Sequence, residues 1–411
     1  MLGNFSKTMN PTKIYVGAKG SALILSFGFS IIYSRLLGLE NRSILTFIFT
    51  VSSLFILGFV SSLGLTFRKS ISKSDNHTLE VQQYLRYLLL LTLILTGIYA
   101  TILVIYSYFV TPINLKIFGL SLALFYTSSI IHGFNELLIG LDRLRTIGLL
   151  ENIEVVMQVV LFFIFYKGFA LSIFISVISS ILFTYILSIA IIWRLTLSRL
   201  KLYLPHLLRR SPKYIGGLKI FDSSSLTTTV PLVLLDRLDK VLIAIVLPLA
   251  SLSQYSVLLV FFSLGRSIPE SVSKTFFSKY RTNFHQGPSK MKPNLIILFI
   301  LLLAAYPGYI TSTKFLLGTE WVLPLNVFLV TIAFELMRAT YLFRINLHFA
   351  EDLASSFKLI HVWWFIVFSC LAILILTDFM GLIGAPLGML GTYGSMLAYS
   401  EIMVKRSDKN L

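Results

Sequence analysis

Cysteine is almost absent from this chain: Cys370 stands alone among 411 residues. That excludes a disulfide framework, a cysteine-ligated zinc site and an iron–sulfur cluster, and it leaves the redox compartment unread. Charge is scarce as well. Charged residues make up 13% of the sequence, where a soluble globule carries about 25%. Acids are the rarer sign, with 18 Asp and Glu against 35 Lys and Arg. The sequence also lacks a His/Asp/Glu cluster at metal-ligand spacing, a glycine-rich phosphate loop and a Ser/His/Asp arrangement. Neither an enzyme nor a cofactor is indicated.

Apolar sequence fills the space. Hydrophobic residues reach 56% and aromatic residues 14%, with a mean hydropathy of +0.84. Apolar runs of 20 or more residues recur throughout, each able to cross a hydrocarbon core of roughly 30 Å as a helix. The expected fold class is all-α: a polytopic membrane protein of about 12 transmembrane helices. The first six spans are read at 14–34, 43–65, 88–109, 115–139, 147–166 and 169–193. The second six are read at 215–247, 254–277, 294–312, 321–343, 357–377 and 380–404. The first lacks a small-residue cleavage pattern and is read as a true span.

A net charge of +17 would suggest nucleic acid in a soluble protein, but its distribution follows the positive-inside rule. With the N-terminus inside, 24 of the 35 basic residues fall on the cytoplasmic side and five on the other, namely Arg35, Arg42, Lys116, Lys167 and Lys314. Both termini are therefore read as cytoplasmic. The excess charge is orientation signal and attraction to anionic headgroups. The expected location is the cytoplasmic (inner) membrane, with the lipid bilayer as a partner and no nucleic acid.

Every extracytoplasmic connection is short, as at Gly38 to Arg42 and Pro248 to Ser253. The longest hydrophilic connection is cytoplasmic and follows the sixth span. This divides the chain into an N-terminal six-helix bundle (1–193), a basic linker (194–214) and a C-terminal six-helix bundle (215–411). A shift of 210 residues lays Leu37-Gly38-Leu39 on Leu247-Pro248-Leu249, Ser43 on Ser253, Phe67 on Phe277 and Lys69 on Lys279. The shared pattern of long span, tight outer turn, second span and basic exit predicts two halves of the same orientation.

The six basic residues assigned to neither side lie inside the spans: Lys19, Lys219, Arg237, Lys240, Arg266 and Arg338. Ionisable groups in hydrocarbon cost about 2.5 to 3.5 kcal/mol each, so each is a functional candidate. The seventh span is the richest. Lys219, Asp222, Leu226, Thr229, Val233, Asp236 and Lys240 share a helical stripe with Asp239 beside it, and Ser223 to Thr229 add hydroxyls. Pro231 is expected to interrupt this helix. Asp236 and Lys240 stand at i, i+4 and could simply neutralise each other. Arg266 with Glu270, and Glu335 with Arg338, could be packing ion pairs or face a lumen. A second topology ends the seventh span near Leu235, puts 236–240 in an outer loop and makes 241–265 the eighth span. Glu136, Glu151 and Glu154 read as helix caps and surface ion pairs, and His132 and His361 as core histidines.

Ser34-Arg35-Leu36-Leu37-Gly38-Leu39-Glu40-Asn41-Arg42 resembles the Arg-Leu-Leu-Gly-Pro-Glu-x-Phe-Gly turn of the oligosaccharide-lipid (O-antigen and polysaccharide repeat-unit) flippases, members of the multidrug/oligosaccharidyl-lipid/polysaccharide exporter superfamily. Leu39 replaces the proline and the final Phe-Gly is absent. Asp239-Lys240, Leu247-Pro248 and Tyr255-Ser256 are similar to the corresponding run of the second half, and Phe315 to Trp321 to the element before the tenth span. The resemblance favours the longer seventh span. It implies two six-helix bundles around a central cavity of alternating access, and a polyprenyl-pyrophosphate-linked oligosaccharide as substrate. It further implies Lys19, Lys219, Arg237, Lys240, Arg266 and Arg338 as diphosphate contacts. Asp222, Asp236, Asp239 and Glu270 would then orient them or carry a coupling ion, and a polysaccharide polymerase and a chain-length regulator would be further partners. The competing expectation is an ion-coupled multidrug or small-molecule antiporter of the same superfamily.

Overall fold

The structure, a computed structural model, describes residues 11–71, 77–141, 143–194, 223–262, 306–350 and 360–407. Helices account for its regular structure, and no strand occurs among these residues. In chain order they are α1 (Pro11–Phe55), α2 (Ser61–Ile71), α3 (His77–Phe109), α4 (Leu115–Gly140), α5 (Leu144–Phe163) and α6 (Ile173–Ile192). The second series is α7 (Ser223–Val246), α8 (Leu249–Phe262), α9 (306–316), α10 (Leu325–Ala350), α11 (Ile360–Met380) and α12 (Gly384–Ser407). Among the described residues, six segments are long and apolar enough to cross a membrane.

Two of these six are double-length: Gly20–Arg68 spans 49 residues and Val362–Glu401 spans 40. At 1.5 Å per residue each exceeds one bilayer, so each must contain a reversal. In the first the break is Gly38, with φ 72° and ψ 176° inside α1, a conformation that L side chains rarely adopt. The predicted first and second spans are thus the two legs of α1 on either side of Gly38, the second extended through a π-helical turn (Ile56–Val60) into α2. In the second segment a 3-10 turn (Gly381–Ile383) separates α11 from α12.

The side-chain distribution inverts that of a soluble protein. On α3, Leu90, Leu93, Ile94, Val104 and Ile105 are exposed while Tyr84, Thr92, Tyr99 and Tyr106 are buried. Lipid tails are as apolar as leucine, so the helix turns its aliphatic face outward and satisfies its polar groups within the protein. Small residues allow close approach: a Cβ built on Gly133 would stand 2.4 Å from Leu88 of α3, and one on Gly140 2.6 Å from Phe67 of α2.

α7 runs unbroken through 236–240, which removes the alternative in which these residues form an outer loop. It also runs through Pro231, contrary to the expected interruption. A proline deletes one backbone bond and strains the turn before it, but in a transmembrane bundle neighbouring groups can take up the freed carbonyl. The chain reverses at Leu247–Pro248, and α8 begins at Leu249.

Contacts divide the chain into two units, residues 1–29 with 48–234 and residues 30–47 with 235–411. In the first, α4 packs against α2, α3 and α6, and α5 against α6. The start of α7 joins it, with Val230 against Gly58. Asn152 of α5 donates to the carbonyl of Ala18 at 2.7 Å and accepts from Ser21 at 2.8 Å, fixing the first leg of α1.

The second unit packs α12 against α10 and α11, and residues 30–47, around the Gly38 break, meet α8. The hydroxyls of Ser43 and Ser253 lie 2.7 Å apart. Ser43 reaches the carbonyl of Leu249, and Ser253 donates to that of Leu39 at 2.5 Å. Thr46 donates to Ser256 at 3.4 Å. The pairs 39/249, 43/253 and 46/256 each differ by 210, the repeat shift found in the sequence. Each repeat thus bonds its own counterpart by the same atoms in both directions. Ser43→Ala and Ser253→Ala should each cost about 1 kcal/mol, and the double variant less than their sum because they share one contact. Thermal unfolding in detergent measures this, and strict additivity would refute the reciprocal pairing.

Candidate functional site

The longer seventh span carries charge into the second unit, and three helices answer it. Asp236 of α7 is ion-paired with Arg338 of α10, and its other carboxylate oxygen lies 3.7 Å from Nε of the adjacent Arg237. Arg338 Nη1 lies 3.5 Å from both carboxylate oxygens of Glu335, one helical turn earlier. Asp239, one turn after Asp236, accepts the Tyr255 hydroxyl of α8 at 2.8 Å and the backbone N–H of Lys240 at 2.8 Å. Tyr393 of α12 is buried and interacts with the charges of Asp236 and Glu335.

The cluster is deeply buried. Asp239 is 1% exposed, Glu335 4% and Arg338 5%, and Tyr255 is fully enclosed. Asp236, Asp239 and Glu335 supply three negative charges, and Arg237, Lys240 and Arg338 three positive ones. Buried ions of this kind persist only when paired and hydrogen-bonded. The arrangement neutralises itself and has no anionic surplus. Arg237 retains some exposure, 22% of its side chain, and its buried Nε makes no hydrogen bond.

Of the ten candidates read from the sequence, the structure brings together Arg237, Lys240, Arg338, Asp236 and Asp239. Lys19 lies in the first leg of α1. Lys219, Asp222, Arg266 and Glu270 lie outside the described residues, as does all of the 194–214 linker beyond Arg194. Ser223 to Thr229 form the first turns of α7.

A second polar cluster, in the first unit, escaped the sequence reading. Arg68 of α2 pairs with Glu136 of α4, and Ser61 hydrogen-bonds His132 Nε2 at 2.8 Å. His132 Nε2 lies 3.9 Å from Glu136, one turn along α4. Glu136 is 8% exposed, so it is not the surface residue expected from its neighbours Asp142, Arg143 and Arg145. A Cβ on Gly64 would fall 2.6 Å from the Glu136 side chain, so α2 approaches closely enough to bury the pair. The glycine one turn before Arg68 was the available signal. Tyr255 was visible only as part of a motif, and nothing in its spacing to Asp239 marked it as a hydrogen-bond donor. Among the described residues, no group of three or more His, Cys, Asp or Glu could hold a metal ion.

No protein-family model matches the sequence, and neither does any curated protein sequence. Solved structures do match the fold. The lipid II flippase MurJ in an inward closed conformation aligns with a TM-score of 0.69 at 15% identity, covering 95% of this chain and 87% of its own. An inward-facing multidrug resistance MATE family transporter of the MOP superfamily gives 0.69 at 13% identity, covering 94% of each chain. A MOP superfamily transporter from Pyrococcus furiosus with a binding pocket of reverse polarity gives 0.62 at 12% identity, covering 97% of this chain and 96% of its own. The expected all-α membrane architecture is therefore the observed one, and this chain has the fold shared by MurJ and the MATE transporters.

Proposed function

We propose that this chain translocates a polyprenyl-pyrophosphate-linked oligosaccharide repeat unit across the cytoplasmic membrane of a bacterium by alternating access, for surface polysaccharide or O-antigen synthesis. The fold is common to flippases and multidrug transporters, so it does not choose between them. The observation that carries the choice is the charge balance of the buried cluster: three carboxylates against three cations. A site for cationic drugs would be expected to hold surplus negative charge, and this cluster holds none. The turn motifs around Gly38 and Pro248 favour the same reading.

A diphosphate cannot cross hydrocarbon unaided, because burying unpaired charge is prohibitive. On this reading Lys19, Lys219, Arg237, Lys240, Arg266 and Arg338 replace its hydration, and the hydroxyls of Ser223 to Thr229 replace that of the sugars. Asp222, Asp236, Asp239 and Glu270 orient the cations or carry a coupling ion. The two six-helix halves, with both termini cytoplasmic, exchange inward and outward openings while the lipid tail stays in the bilayer.

Deletion of the protein in its native cell tests this. Loss of surface polymer with complete lipid-linked repeat units accumulating on the cytoplasmic face is the expected result. Normal polymer with altered tolerance to small molecules would replace the flippase by the multidrug antiporter, a reading supported by the equal match to the MATE fold. Single repeat units accumulating outside would indicate a polymerase.

A further inference from the structure

Arg42 is a buried guanidinium that no carboxylate answers among the described residues. It is 4% exposed. Nη1 donates to the Tyr33 hydroxyl at 2.6 Å, Nη2 donates to Ser30 Oγ at 3.3 Å, and the guanidinium carbon lies 4.5 Å from the centre of the Tyr33 ring. All these partners are neutral. Nε is buried and makes no hydrogen bond. Glu40, two residues earlier, is exposed and forms no ion pair with it. The other buried arginine is treated differently: Arg338 has Asp236 and Glu335, and even the partly exposed Arg68 has Glu136.

Two further observations say what would answer it. The first leg of α1 exposes Ile24, Leu25, Ile32 and Leu36, and then polar Arg35, Glu40 and Asn41 take over the exposed positions. Arg42 therefore sits where a lipid-facing surface gives way to a polar one, the depth of phospholipid headgroups. It is also rigidly mounted, because the next residue, Ser43, is tied to Leu249 and Ser253. A guanidinium has five donors in a planar fork that fits phosphate oxygens, and Tyr33 and Ser30 occupy two of them.

We propose that Arg42 binds the phosphate-type oxyanion of an amphipathic molecule at this end of the second unit. That chemistry is shared by a phospholipid headgroup and by a transported lipid diphosphate, and the site stands whether or not the flippase reading holds. The test is thermal unfolding of the full chain in detergent, titrated with inorganic pyrophosphate or dioctanoyl phosphatidylglycerol, with phosphate-free dioctanoylglycerol as control. The wild type should show a saturable rise in unfolding temperature with at least one phosphate probe. Arg42→Gln should weaken the apparent affinity at least about tenfold. Stabilisation by phosphatidylglycerol alone assigns the site to a headgroup, and stabilisation by pyrophosphate as well assigns it to a diphosphate. If Arg42→Gln does not accumulate, Arg42→Lys, which keeps the charge and loses the fork, should show the same tenfold loss. No rise with either probe, an equal rise with dioctanoylglycerol, or wild-type affinity in the variant that folds would each overturn the proposal.

Discussion

Replacing Arg338 by leucine is expected to destabilise the protein by about 3 to 5 kcal/mol, and adding Asp236→Asn is expected to recover part of that loss. Arg338 joins Asp236 on α7 to Glu335 on its own helix, with all three buried or nearly so. Leucine keeps only the apolar stem and removes the guanidinium that Asp236 and Glu335 share, leaving Asp236 the adjacent Arg237 at 3.7 Å. An uncompensated buried charge is penalised by its full desolvation, whereas an asparagine can be satisfied by neutral groups. Against a typical total stability of about 5 to 15 kcal/mol, the single variant should accumulate poorly and unfold at a clearly lower temperature in detergent. Arg338→Lys should fall between, because a point charge cannot serve both carboxylates as a fork does. A single variant as stable as wild type, or a double variant no better than the single, would show that the pair does not hold α7 to α10.

The second large effect lies at the α11–α12 hairpin, where one helix supplies both the test and its control. A Cβ on Gly384 would stand 2.2 Å from the carbonyl of Leu376, and one on Gly388 2.9 Å from the backbone nitrogen of Ile373. Gly391 and Gly394, farther along α12, have nothing within 4 Å of that position. Backbone cannot swing aside as a side-chain end can, so Gly384→Ala should cost the upper part of the overpacking range, about 3 kcal/mol or more, and Gly388→Ala somewhat less. Gly391→Ala and Gly394→Ala should be neutral or stabilising by up to about 1 kcal/mol, since alanine favours the helix. Comparing the unfolding temperatures of the four variants decides it. Equal tolerance at all four positions would mean that α11 and α12 do not approach through these glycines.

Much of this architecture was legible in the sequence because a bilayer constrains helices by length and hydropathy alone. The runs that became α3, α4 and α6 needed no tertiary information, and Leu37-Gly38-Leu39 marked the reversal within α1. The buried charges were only half legible. Glu335 and Arg338 could be paired by their i, i+3 spacing, but no local spacing announced that Asp236 also pairs with Arg338, from a helix about a hundred residues away. Arg68 and Glu136 were separated in the same way, and their partnership depends on Gly64, whose significance is steric and appears only once α2 and α4 are side by side. Pro231 was misread because its cost was judged as in water, where no neighbouring helix takes up the freed carbonyl. The four candidates at 219, 222, 266 and 270 lie outside the described residues.

The serine contact between 43 and 253 has a consequence for the origin of the chain. A bond in which position i of one repeat meets position i of the other, with donor and acceptor roles exchanged, is the isologous contact found on the axis of a symmetric homodimer. A half-length protein carrying a single such serine, and the carbonyl four residues before it, would close the same pair of bonds with a second copy of itself. Fusion of two copies by gene duplication would then inherit a finished interface. Because each acceptor is a backbone carbonyl, a change in one serine would remove one of the two bonds and leave the other in place.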